Sequence, residues 1–155
     1  MLKRLGVLSV AIALVALAVG VVGPALGASG DDDEHRTIRV TSVTTEEAFL
    51  DLGDEGESIG DQFVASSKYL RGGKQVGHDA VVCTVTSLER GEVQCVATAW
   101  FPGGQITGQA LLSFAEEPRA VPITGGSGQF TGAEGEVHPR PVSETKEILI
   151  FRLED

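Results

Sequence analysis

The stretch Ile123-Thr-Gly-Gly-Ser-Gly-Gln-Phe-Thr-Gly-Ala-Glu-Gly-Glu-Val137 constrains the fold of this chain more than any other. Glycines stand at 125, 126, 128, 132 and 135, flanked by apolar residues that read as strand ends. Glycine accepts positive φ and close backbone approach, so this spacing suits sharp corners between short strands. It does not suit nucleotide phosphates. Gly126-Ser-Gly128-Gln-Phe-Thr131 lacks the third glycine of a dinucleotide fingerprint, and no Gly-Lys-(Ser/Thr) follows.

The rest of the chain agrees with that reading. Residues 37–43, 63–70, 81–87, 93–101 and 105–114 alternate polar and apolar side chains to varying strictness, as half-buried strands do. Shorter pieces at 120–123 and 134–137 and a final run at 147–153 bring the total to about eight strands. Turn signals at Arg71-Gly72-Gly73-Lys74, Glu89-Arg90-Gly91 and Pro102-Gly103-Gly104 separate them. Only Thr44 to Leu50 is compatible with a helix, and it is too short to stand alone. Eight antiparallel strands joined by short loops predict an all-β, closed eight-stranded up-and-down barrel, with a sandwich as the main alternative.

The first residues belong to a different class. Lys3 and Arg4 precede an uncharged run from Leu5 to Val22, then Pro24 and Ala25-Leu26-Gly27-Ala28. This is the pattern of a secretory signal peptide over residues 1–27, with an uncleaved membrane anchor as the competing reading. Residues 28–36 carry Asp31-Asp32-Asp33-Glu34 and read as an acidic linker, leaving 37–155 as one barrel domain. The net charge of the whole chain is −10, and removal of Lys3 and Arg4 takes it to −12. Such a charge argues against nucleic-acid partners and, once the leader is gone, against an anionic membrane surface. Expected localisation is extracellular.

Period-2 alternation assigns faces. Val81, Cys83 and Val85 share one face, as do Val93, Cys95, Ala97, Ala99 and Phe101, and Ile106, Gly108, Ala110, Leu112 and Phe114. The middle of this set is small (Ala97, Ala99, Gly108, Ala110), which leaves room for a ligand inside a barrel of this size. On another strand Asp61, Phe63, Ala65, Ser67 and Tyr69 share a face. If it is the inward one, a carboxylate and a phenol sit in an apolar interior, where burial raises a carboxylate pKa and suits it to acid–base work. Asp61 and Tyr69 are therefore the candidate catalytic pair, and Phe63, Ser67, Asp79, Ala97 and Ala99 the candidate substrate contacts. The competing structural roles are a turn cap for Asp61 after Gly60 and a rim hydroxyl for Tyr69. Trp100 falls on the outer face.

Cys83 and Cys95 are the only cysteines, placed around the Glu89-Arg90-Gly91 turn with both sulfurs on one face. In an exported protein they read first as a disulfide, and otherwise as two buried thiols. His35, His78 and His138 are scattered without ligand spacing, so no metal site is expected, and no cofactor motif occurs. The loop Asp51 to Gln62 departs from a calcium loop at Gly53 and Gln62. Ser113 and Ser127 lack the His and Asp partners of a hydrolase.

Gly60-Asp61, Gly73-Lys74-x-Val76-Gly77 and, above all, Ile123 to Val137 resemble the pattern of allene oxide cyclase-like and dirigent-like β-barrels. The resemblance implies an eight-stranded barrel that holds an apolar, often unsaturated molecule. Some members of that group cyclise such a molecule, others guide stereoselective radical coupling, and oligomers (dimers or trimers) are common. The resemblance carries a functional role to Asp61. Thr131 stands where dirigent proteins often have a basic residue, which removes a charge from the expected pocket.

Overall fold

The computed structural model describes residues 36–113 and 119–154. The expected leader with its expected cleavage site and most of the expected acidic linker lie outside the described residues, as does Phe114. Eight strands run in chain order: β1 (Arg36–Leu50), β2 (Gln62–Arg71), β3 (Lys74–Ser87), β4 (Glu92–Phe101), β5 (Gly104–Ser113), β6 (Val121–Gly128), β7 (Glu134–Ser143) and β8 (Lys146–Glu154). Each pairs antiparallel with the next and β1 pairs with β8, closing the barrel. Closure leaves no sheet edge open to pairing with other chains. The expected sandwich alternative is thereby set aside.

The helix-compatible stretch is strand. Thr44 to Leu50 continues β1 with a bulge between Thr44 and Glu46, and Thr45 donates its hydroxyl hydrogen to the Ser66 carbonyl at 3.0 Å. A bulge skips one residue out of the ladder and restores inward pointing beyond it. β-branched Val43, Thr44 and Thr45 favour this outcome over a helical turn.

Register stacks the inward residues of β2 to β5 in tiers. Phe63, Cys83, Cys95 and Ala110 form one; Ala65, Val81, Ala97 and Gly108 the next; Ser67, Asp79, Ala99 and Ile106 the third. Below the third tier the interior fills. Tyr69, Phe101, Phe130 and Phe151 form an aromatic cluster with neighbouring ring centroids 5.5–6.2 Å apart, packed with Ile38, Val40, Ile106 and Leu153. Gly77 is required here: a Cβ would lie 2.5 Å from the Trp100 carbonyl oxygen and 3.1 Å from both the Tyr69 and Phe101 rings.

The glycine-rich run forms the floor beneath that cluster. Gly125 to Gly128 end β6 against β5, and two consecutive turns, Phe130 N–H to Ser127 O and Ala133 N–H to Phe130 O, carry the chain into β7. They swing Phe130 under the barrel, where it is buried and Arg36 stacks 5.2 Å above its ring. At Gly126 a Cβ would meet the Phe130 carbonyl oxygen at 2.2 Å, so the plug seats only with glycine there. The run is corner geometry, as its spacing implies.

Candidate functional site

The other half of the barrel is hollow. A cavity of about 270 Å³ is walled by Val81, the Cys83–Cys95 disulfide, Ala97, Ala99, Ile106, Gly108, Ala110 and Leu112 on one side and by Val121, Val137, Pro139 and Leu149 on the other. A second compartment of about 350 Å³ adjoins it toward Thr44, Glu47, Phe63, Ala65, Ser67 and the β7–β8 turn. Asp79, Val81 and Glu147 line both. The cavity is close to the lower end of the usual size range of small-molecule pockets.

Three polar side chains stand where this space meets the aromatic floor: Tyr69, Asp79 and Glu147. Register explains their convergence. Ser42 of β1 pairs with both Tyr69 of β2 and Glu147 of β8, while Asp79 of β3 pairs with Ser67 of β2. Asp79 is only 7% exposed, and its Oδ1 is buried without a hydrogen-bond partner. Burial pushes its pKa upward, against the opposing pull of Tyr69, Ser67 and His78 toward the charged form. Burial also raises Glu147, and the charge of Asp79 adds to that shift. Tyr69 is held well above 10 by its own burial and by the two carboxylates, so it remains a neutral phenol. Each carboxyl is thus easier to protonate than an exposed one, the direction that acid–base work requires.

Asp61 does something else. Its Oδ1 accepts hydrogen bonds from Leu52 N–H (2.9 Å), Gly53 N–H (3.3 Å) and the Ser58 hydroxyl (3.1 Å), and its Oδ2 accepts one from Ser58 N–H (2.6 Å). Its carbonyl accepts from Val85 N–H at 2.8 Å, tying the β1–β2 loop to β3. The Leu52 and Ser58 amides, foremost, hold its carboxyl below the ordinary 3.8. The carboxylate is fully buried but does not line the cavity. The structure therefore does not bring Asp61 together with Tyr69; the carboxyls beside that phenol are Asp79 and Glu147. The turn-cap reading of Asp61 describes its position.

The remaining expected contacts fall around the interior space. Ala97 and Ala99 line the cavity with Asp79, while Phe63 and Ser67 line the adjoining compartment. Cys83 and Cys95 are bonded and face each other directly across β3 and β4. Such bonds form and persist in oxidising compartments. Trp100 points outward and stacks on His78 at 5.0 Å. Thr131 donates its hydroxyl hydrogen to the Gly128 carbonyl at 2.8 Å, in the floor turn and away from the cavity. The residue at 131 consequently has no bearing on the charge of this pocket.

Glu147 and Ser42 escaped the sequence reading. In Glu147-Ile-Leu-Ile-Phe-Arg-Leu153 both faces are apolar, so alternation does not show which is inward. The better signal is Arg152, exposed between buried Phe151 and Leu153, which fixes the odd positions inward and carries Glu147 with them.

Residues 36–152 match the family model of the allene oxide cyclase barrel-like domain. Among solved structures, a pyocyanin demethylase is 26% identical with a TM-score of 0.67, the match covering 76% of this chain and 99% of that one. A nonspecific heme-binding cyclase that catalyses a [4 + 2] cycloaddition during neoabyssomicin biosynthesis is 15% identical (TM-score 0.62; 80% of this chain, 66% of that one). The Diels–Alderase AbmU from Streptomyces koyangensis is 14% identical (TM-score 0.61; 77% and 64%), and both share the fold. No curated protein matches in sequence.

Proposed function

The chain belongs to the allene oxide cyclase-like barrel family, and from that premise we propose that it binds an apolar small molecule in the open half of its barrel and guides an acid–base-assisted cyclisation or related rearrangement. One observation carries this reading: an apolar cavity of about 270 Å³ that ends on Asp79, Glu147 and Tyr69. Apolar walls select by shape and hold the ligand in a reactive conformation, which lowers the entropic part of the barrier. The protonated carboxyl donates to a heteroatom of the ligand as its ionised partner removes a proton elsewhere, and the neutral Tyr69 phenol donates a hydrogen bond to the developing charge. The demethylase and cyclases of the same fold, which act on small molecules, support this assignment of the interior.

The disulfide supports a working place outside the cytosol, and with the leader-like N-terminus we infer export. Mass analysis of the non-reduced protein from culture supernatant tests it: a chain beginning near Ala28 with both cysteines bonded is expected, and a full-length cell-bound chain contradicts it.

Turnover is tested by incubating the protein with a panel of polyene and epoxide substrates and following cyclised products by mass spectrometry. Asp79→Asn and Glu147→Gln are each expected to lower the rate by about 10²–10⁴ with the substrate still bound. Full activity in both variants would overturn the acid–base roles. Binding without any product would make the protein a carrier.

A further inference from the structure

The polar end of the cavity has a one-sided charge. Among the described residues, no lysine, arginine or histidine lines the cavity, while Asp79 and Glu147 do. Lys146 reaches only the adjoining compartment, is exposed, and shares that space with Glu47 and Glu144. His78 lies on the outer face against Trp100. Asp79 Oδ1 is buried with no hydrogen-bond partner in a mostly apolar wall whose other polar side chains are Tyr69 and Glu147. An orphaned buried acceptor is costly, and native proteins rarely tolerate one unless a water, ion or ligand completes it.

Resting on the binding reading above, we propose that the ligand is an apolar ring system bearing a protonated nitrogen, seated with that nitrogen on Asp79 and Glu147. Such a group donates to Oδ1 and offsets the negative charge held by the pair, whereas a ligand with a carboxylate head would add a further negative charge to a site of low polarity. A hydroxyl satisfies one acceptor and leaves the charge uncompensated. The cavity accommodates roughly nine water volumes, enough for two fused rings with a one-carbon arm.

Three probes with the same rings separate the possibilities: 1-naphthylmethylamine, 1-naphthalenemethanol and 1-naphthoate, titrated at pH 7.5 by calorimetry. The ammonium is expected to bind about tenfold more tightly than the alcohol, with the carboxylate weakest. In the Asp79→Asn/Glu147→Gln variant the preference for the ammonium is expected to collapse, with circular dichroism confirming the folded barrel. An alcohol or carboxylate that binds as tightly as the ammonium would overturn the proposal and leave the cavity reading intact. Failure of all three to bind would remove the cavity reading, and this inference with it.

Discussion

The two ends of the barrel use the same strands for opposite purposes. At the floor, Tyr69, Phe101, Phe130 and Phe151 fill the interior ring against ring. One to three tiers higher the same inward faces of β4 and β5 carry Ala99, Ala97, Gly108 and Ala110, and the space stays open. The difference is side-chain volume along a fixed register. A barrel of eight strands has just enough interior to be packed or to hold a ligand, and this chain does one at each end. Stability is concentrated where the rings meet, and the chemistry is placed where they are missing.

Three substitutions or pairs of substitutions test this division. Phe130→Ala should have the largest effect, a loss of about 3–5 kcal/mol in denaturant unfolding, because it empties the floor beneath Phe101. A loss below about 1 kcal/mol would mean that the floor is not what holds the barrel. Cys83→Ala/Cys95→Ala removes a cross-link between residues 12 apart in sequence and should cost about 2–3 kcal/mol, matched by reduction of the native protein. Ala97→Leu, in the open half, should weaken ligand binding at least about tenfold while shifting stability by less than about 1 kcal/mol. If the same change lowers stability as much as Phe130→Ala, the two ends do not differ in the way described.

The smallest effects come from two buried aspartates with opposite shifts. Asp79 has its folded pKa raised by burial. Its ionisation therefore opposes folding: the penalty is absent below the unfolded value near 4, grows as pH rises toward the folded value, and is complete above it. Asp79→Asn should accordingly raise Tm at pH 7.5, and the gain should vanish near pH 4. Asp61 has its folded pKa lowered by the Leu52 and Ser58 amides. Its contribution is full above the unfolded value and is lost as pH falls through the folded one, so Asp61→Asn should lower Tm at neutral pH and converge with the native protein in acid. Differential scanning calorimetry across pH 3–8 reads both.

Much of this was legible in the sequence because a strand repeats every two residues. Alternation along Val81 to Val85 and Val93 to Phe101 gave the strands and the inward face, and the glycine spacing gave the corners. It also placed the small side chains Ala97, Ala99, Gly108 and Ala110 together, which is the cavity. Alternation fails where both faces are apolar, which hid Glu147, and where a bulge shifts the phase, which made Thr44 to Leu50 look unlike a strand. It also cannot see how far a side chain reaches along the barrel axis. Asp61 has the parity of Tyr69, but it precedes the strand and turns its carboxylate onto the amides of its own loop. Side-chain parity gives direction; only the loop backbone decides what the carboxylate meets.

Methyl NMR tests the central claim, that the open half of this barrel is a ligand site, most directly. In protein with labelled Ile, Leu and Val methyls, 1-naphthylmethylamine should shift Val81, Ile106, Leu112 and Leu149, which face the cavity, and leave the exposed Val82, Val96 and Leu111 in place. Shifts confined to Val82, Val96 and Leu111, or no shifts at all, would contradict it.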